Sequence, residues 1–280
     1  MELVLDLYLI MLIKIILAAA VIFILYAAAE NTVLLCVRRE RFRENGIRIA
    51  HITDLHKRSF GKDNSRLIRK ITAENPDIIL VTGDLVSRDC RSFTSAGQLL
   101  RELCSCAPVY VIFGNHESDL PPELQNCIAD TIKSAGAVLL NNSTETLRIK
   151  DRQLNLCGLA LHTAVYKVNG GYSNLEKVTN DIIVSAIGEK PQGETILLVH
   201  NPLFAEEYAD WGADYTVSGH VHGGAVRIPF TGIGLLSPER RFLPKYTKGV
   251  YQIGKMKLLL SGGLGKLRLF NPPEIVIYDI

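Results

Sequence analysis

The chain has 280 residues, 48% of them hydrophobic and 21% charged, with a formal charge of +2 at pH 7. That is an ordinary globular composition, long enough for one sizeable core or two, with no internal repeat or low-complexity tract. The near-neutral charge and the lack of a basic stripe with interleaved aromatics argue against a nucleic-acid partner, and the cysteines Cys36, Cys90, Cys104, Cys106, Cys127 and Cys157 have neither C-x-x-C nor disulfide-framework spacing, so they read as free thiols.

The first predicted element is the run "LYLIMLIKIILAAAVIFILYAAA" from Leu7 to Ala29, with Lys14 its single charge. About 20 apolar residues span a bilayer as a helix, and a lysine stem is long enough to snorkel toward the headgroups. The preceding "MELVLD" is acidic, whereas a secretory n-region is basic. The run therefore reads as an uncleaved anchor over 1–30, with cleavage near "YAAAE" as the alternative. Arg38, Arg39, Arg41 and Arg43 follow in a basic linker (31–46), and no Lys or Arg precedes the run. The positive-inside rule places the remainder in the cytoplasm, with export to the other face as the alternative.

From residue 47 apolar runs alternate with helical patterns. "IRIAHIT" (47–53), "PDIILVT" (76–82) and "PVYVIF" (108–113) read as buried strands. Between them "NSRLIRKITAEN" (64–75) and "SFTSAGQLLRELCS" (92–105) read as helices, which makes a βαβαβ core. A helix over 121–136, a short strand at "AVLLNN", a hairpin around Asp151–Arg152 and a helix over 174–189 come next. "TILLVHN" (195–201), "DYTVSGH" (214–220), "KLLLSGG" and "EIVIYDI" are further strands.

Five of these strands run into residues able to bind metal: Asp54-Leu55-His56, Gly83-Asp84, Gly114-Asn115-His116-Glu117, His200 and Gly219-His220-Val221-His222. Ligands of α/β sheets bind at the carboxyl ends of strands, so these residues converge if the strands share an edge. Each piece alone is weak, because a capping Asp, a turn Gly-Asp or a structural His is common. "GHVHGG" is the strongest: in extended backbone residues i and i+2 face the same way, so His220 and His222 would project into one site. His51, inside a strand, reads as structural. His162, in a loop, reads as structural or as a substrate contact.

In this order D-x-H, G-D, G-N-H-[DE], a later lone His and G-H-x-H resemble the motifs of the calcineurin-like metallophosphoesterases, over about residues 47–280. "GHVHGG", "GGLG" (262–265), "NPPEI" (271–275) and the anchor look like a membrane-anchored bacterial branch of that family. The resemblance implies an α/β fold, a four-layer αββα sandwich of two mixed sheets flanked by helices, with an N-terminal transmembrane helix. It implies a dinuclear centre. Asp54, His56, Asp84 and His222 would hold one divalent ion, and Asp84, Asn115, His200 and His220 the other, with Asp84 bridging. His116 would be the general acid, and Glu117 a support residue. The family's protein phosphatases carry G-D-x-V-D-R-G, but here the segment reads "GDLVSRD", so Ser87 stands where an acid orients the catalytic histidine.

The implied donors are imidazole, carboxylate and amide, which suit Mn, Fe or Zn. The implied reaction is hydrolysis of a phosphate ester or pyrophosphate by a metal-bridged hydroxide. Arg240 and Arg241, in the segment after the last motif, are candidate contacts for the substrate, a phosphorylated small molecule or a lipid-linked phosphate. The alternative is a catalytically silent membrane-anchored binding protein on the same fold. Every motif position is filled, which favours the enzyme. Oligomeric state is not written in the sequence.

Overall fold

The computed structural model describes residues 2–168, 171, 174–237 and 242–280. Its first element is a long helix, α1 (Glu2–Thr32). The stretch Asp6–Thr32 is long and apolar enough to cross a membrane. From Leu7 to Leu25 its large apolar side chains are exposed, and of them Phe23 alone meets another ring, that of Phe270, among the described residues. In water that surface would be a severe liability. A lipid environment removes the cost, and the helix has the length and composition to anchor the chain to a membrane.

Two six-stranded mixed sheets follow. The first contains β1 (Cys36–Arg41), β2 (Arg48–Ile52), β3 (Ile78–Thr82), β4 (Val109–Ile112), β5 (Val138–Leu139) and, returning from the C-terminus, β12 (Glu274–Asp279). Its order is β1-β12-β2-β3-β4-β5, with only the β12–β2 pairing antiparallel. The second is built from β6 (Ser143–Ile149), β7 (Arg152–Leu159), β8 (Glu194–Val199), β9 (Tyr215–Ser218), β10 (Gly249–Ile253) and β11 (Met256–Leu260), in the order β10-β11-β9-β8-β7-β6. Its outer pairs are antiparallel and its inner ones parallel.

Alternation along the strands divides the core into three layers. Ile49, Ile78, Leu80 and Ile112 meet Leu154, Leu156, Ile196, Leu198 and Val217 between the sheets. Ala50, Ile52, Ile79 and Val81 face outward onto α2 (Ser65–Thr72), α3 (Thr94–Cys104) and α5 (Pro122–Ser134). On the far side Leu159, Leu197, Val199 and Leu258 pack on α6 (Asn180–Ile187) and α7 (Ala205–Trp211). A short α4 (Asn115–Ser118) follows β4. This is the expected four-layer αββα sandwich with an N-terminal apolar helix.

Three local expectations change. The basic stretch after the anchor is no free linker, because β1 pairs in register with β12 from Cys36–Glu274 to Arg41–Asp279. The helix expected over 174–189 begins only at Asn180, where the Thr179 hydroxyl accepts from the Ile182 amide as an N-cap. The turn of the β6–β7 hairpin is centred on Lys150 and Asp151, both in left-handed backbone.

The end of α1 is bound to the sandwich. The Glu30 carboxylate is wholly buried and accepts the main-chain amides of Phe270 and Asn271. Asn31 pairs with the main chain of Arg268 in both directions, at 2.8 and 3.0 Å. Arg58 donates to the Glu30 carbonyl and to that of Gly265. Phe270 stacks on Tyr26, with ring centroids 5.4 Å apart.

Candidate metal centre

The strands β2, β3, β4, β8 and β9 all end at one edge of the sandwich, and the residues just beyond them converge there. Asp54, His56 and His222 form one group whose ligand atoms lie within 4.8 Å of one another. Asp84, His200 and His220 form a second, and Asp84 with His56 and His116 joins the two. Asp84 is therefore central to the cluster. Its Oδ2 lies 3.3 Å from His200 Nε2 and 3.8 Å from His56 Nε2.

The backbone that achieves this is strained. Asp54, His56, Asp84, His220 and His222 all have φ between 51° and 68°. A non-glycine residue in the left-handed region is uncommon, and such strain clusters at functional sites. The histidine pair does not work as the extended-strand reading expects. His220 and His222 turn through left-handed backbone into different groups of the same centre.

Close approach demands glycine beside both carboxylates. A Cβ on Gly114 would meet the Asp84 carboxylate, and one on Gly263 (φ 72°) would lie 2.7 Å from Asp54 Oδ2. Gly263, from the late "GGLG", thus backs the first group. "NPPEI" supports the same region, because Asn271 donates to the His222 carbonyl at 2.7 Å.

Hydrogen bonds fix the side chains from behind. His200 donates from Nδ1 to the Thr82 carbonyl at 2.6 Å, which aims its Nε2 at Asp84. The His220 amide donates to Asp54 and the His116 amide to Asp84. Glu117 accepts three main-chain amides, from Asp84, Val86 and Gly114, at 2.8–2.9 Å. It thereby clamps the Asp84 turn onto the start of α4. His116 Nδ1 accepts the Arg88 amide at 3.2 Å. Where an acid would orient this ring, a main-chain N–H beside Ser87 does so. That bond assigns the proton to Nε2.

The electrostatics are those of two buried carboxylates flanked by imidazoles. Burial opposes ionisation of Asp54 and Asp84, but His222 and His200 hold Asp54 below the usual carboxylate range, and His200 does the same for Asp84. Burial also opposes charge on His200, yet Asp84 and Asp54 raise it to about 10. Burial pushes His116 down to about 4 against the pull of Asp84. Burial, and then the Asp84 charge, push Glu117 up to about 7 against its three amide donors.

His56 Nδ1 and Asn115 Oδ1 make no hydrogen bond, and Asp54 Oδ1 and His200 Nε2 are held by ion pairs to His222 and Asp84 at 3.3 Å. Buried polar atoms are nearly always satisfied. His56 Nε2 and His222 Nε2 face each other at 3.4 Å. Converging oxygen and nitrogen donors of this kind fit a pair of divalent cations. The clusters define a candidate dinuclear metal site.

Tyr166 was not foreseen. It is buried and packs edge-on against His220, with centroids 4.9 Å apart. Nothing in "AVYKV" signals this, because the contact joins distant parts of the chain. His51 is structural, bonded to Thr82 Oγ1 at 2.7 Å. His162 is exposed, accepts the Ala164 amide and lies outside the candidate metal groups. Arg240 and Arg241 lie outside the described residues.

A two-sheet sandwich with carboxylates and histidines at its strand ends defines a metal-dependent hydrolase class. The comparisons agree. The model of the calcineurin-like phosphoesterase family matches residues 47–224, and the chain belongs to that family. It is 28% identical over 251 residues to the phosphodiesterase YaeI of Escherichia coli, covering 85% of this chain and 84% of that one. It is 25% identical over 281 residues to the UDP-2,3-diacylglucosamine pyrophosphatase LpxG of Chlamydia muridarum, covering 83% of each. Among solved structures the sulfate thiohydrolase SoxB of Thermus thermophilus aligns with a TM-score of 0.50 at 13% identity, over 84% of this chain and 56% of that one, a likeness of fold.

Proposed function

We propose that the chain is a membrane-anchored phosphoesterase of two divalent metal ions, hydrolysing a phosphate ester or pyrophosphate. The carrying observation is the sharing of Asp84 between two groups of converging histidines. In this reading Asp54, His56 and His222 hold one ion and Asn115, His200 and His220 the other, with Asp84 common to both. Bound there, the ions would neutralise the phosphoryl oxygens and supply a nucleophilic water at neutral pH.

The protein's own groups do the rest. Water adds to phosphorus as the bond to the leaving oxygen breaks, and that oxygen gains a proton. His116 is partly exposed beside the centre, 4.5 Å from His56 ring to ring. With Nδ1 accepting the Arg88 amide, its Nε2–H hydrogen-bonds the leaving oxygen, which takes up the proton released by the attacking water. The named activities of YaeI and LpxG support a diester or pyrophosphate over a monoester.

The contacts of Phe23 and Tyr26 with Phe270 support an uncleaved anchor and a single-pass protein in the cell membrane. Domain boundaries at 1–30 and 47–280 belong to the same reading, with 31–46 now carrying an edge strand. Arg38, Arg39, Arg41 and Arg43 each pair with a carboxylate in the fold. They bias topology during insertion, before those pairs exist, and favour a cytoplasmic catalytic unit.

The test is metal-dependent hydrolysis of bis-p-nitrophenyl phosphate and p-nitrophenyl phosphate by the full chain in detergent, beside Asp84→Asn. Turnover that needs Mn2+ and is lost in the variant is expected. Two bound metals without turnover of either ester would instead point to a narrow, membrane-borne substrate, and no turnover with no metal bound would sink the metal-site reading.

A further inference from the structure

Beside the centre lies a cavity of about 470 Å3. His56 and His222 line it together with Leu55, Ala225, Leu236 and Leu267. The histidines belong to the chemistry already described, but the apolar wall serves no part of it. Leu267 is 88% exposed and Leu236 42% exposed, so neither was placed there to fill a core.

Both leucines lie on segments joined to the membrane helix. Leu267 precedes Arg268, whose main chain is paired with Asn31 at the helix end. The segment bearing Leu236 is tied to the same loop, because the Arg227 amide donates to the Leu269 carbonyl and the Leu269 amide to that of Ala225. Between these points the chain makes a tight turn, with the Ile228 amide bonded to the Ile233 carbonyl. Its tip carries Phe230, wholly exposed. Apolar side chains thus sit on the segments that join the end of a bilayer-length helix to the edge of the metal centre. Aromatic and aliphatic groups at that level partition into the membrane interface. Lys266, at the cavity rim, makes no ion pair among the described residues and suits an anionic headgroup.

We infer that this cavity receives the hydrocarbon part of an amphiphilic phosphate ester that stays seated in the bilayer while its phosphate reaches the histidine–carboxylate cluster. The inference rests on the phosphoesterase reading and adds the substrate class. The anchor then fixes the mouth of the site at the membrane surface, where such a substrate need not leave the lipid.

The experiment uses the full chain in lipid nanodiscs, with Mn2+ and two esters that share one scissile bond, p-nitrophenyl butyl phosphate and p-nitrophenyl octyl phosphate. Wild type should turn over the octyl ester with kcat/KM about tenfold or more above the butyl ester, since each buried methylene adds to binding. In the double variant Leu236→Gln, Leu267→Gln that ratio should fall toward one. Both side chains are already exposed, so the fold is not at risk, and an unaltered melting temperature would check it. Equal turnover of the two esters by wild type, or an equal ratio in wild type and variant, would overturn the inference while leaving a phosphoesterase. Absence of metal-dependent hydrolysis of either ester would overturn the inference, and the phosphoesterase reading falls with it only if a nucleoside diphosphate sugar is also left intact.

Discussion

Asp54, His56, Asp84, His220 and His222 each occupy left-handed backbone, at a cost of about 1–3 kcal/mol apiece. No packing requirement explains five such residues at one edge of two sheets. Convergence of their donor atoms does. His116 is different, because α4 holds it with helical backbone and the Arg88 amide sets its ring. Burial keeps it neutral, with a pKa near 4, so its contribution is a hydrogen bond from Nε2 to developing charge on the leaving oxygen. His116→Ala should lower kcat about 10²–10³-fold while the protein still binds two metal ions, as read by steady-state kinetics and metal analysis. Loss of metal along with activity would make His116 a ligand instead. Glu117 acts at one remove. Its three amide partners join the Asp84 turn to α4, which is why an acidic residue follows His116.

At the level of elements, α1 and β1 are continuous with the catalytic unit. Glu30 satisfies two main-chain amides of the loop that supports His222, and β1 supplies Arg38 to the buried Glu274. A soluble form starting at Arg43 would lose both. It should unfold at lower urea than a form starting at Glu30, because buried amides and a buried carboxylate lose their partners at about 1–3 kcal/mol each. Equal urea midpoints would show the clamp to be dispensable. Glu274 also carries a pH signature. Burial alone would raise its pKa, but Arg38, Lys248 and the Gly262 amide hold it at about 2, from an ordinary value of 4.5. Its folded-state pKa is depressed, so its contribution is present above pH 4.5 and is lost as pH falls toward 2. The difference is worth about 3 kcal/mol. Urea midpoints measured from pH 6 to pH 3 should fall, and less steeply in Glu274→Gln. Parallel curves would mean that other carboxylates dominate.

For the whole molecule, the strands that bear the centre were legible because each is a short apolar run buried on both faces and followed at once by a polar motif. β1 was not, because "CVRRER" is an edge strand held by Arg38, Arg39 and Arg41 to carboxylates distant in sequence. The start of α6 was misplaced because "NLEKVT" has helical composition but Thr179 caps the helix only after it. The ligand positions were readable from motif order, whereas Tyr166 and the apolar wall beside His56 depend on tertiary contacts that no local pattern encodes. The same centre links function to global stability. Without cations Asp54 and Asp84 are buried close together, and His200 carries the compensating proton. Ions that bind only the folded chain remove that mismatch and stabilise by mass action, about 2.7 kcal/mol at a concentration 100-fold above Kd. For a chain of this size that is a rise of about 5–10 °C in Tm. Adding Mn2+ to chelator-treated protein should therefore raise Tm by that amount, and by much less in Asp84→Asn. An equal Tm with and without metal would mean that the converging donors do not act together as a metal site.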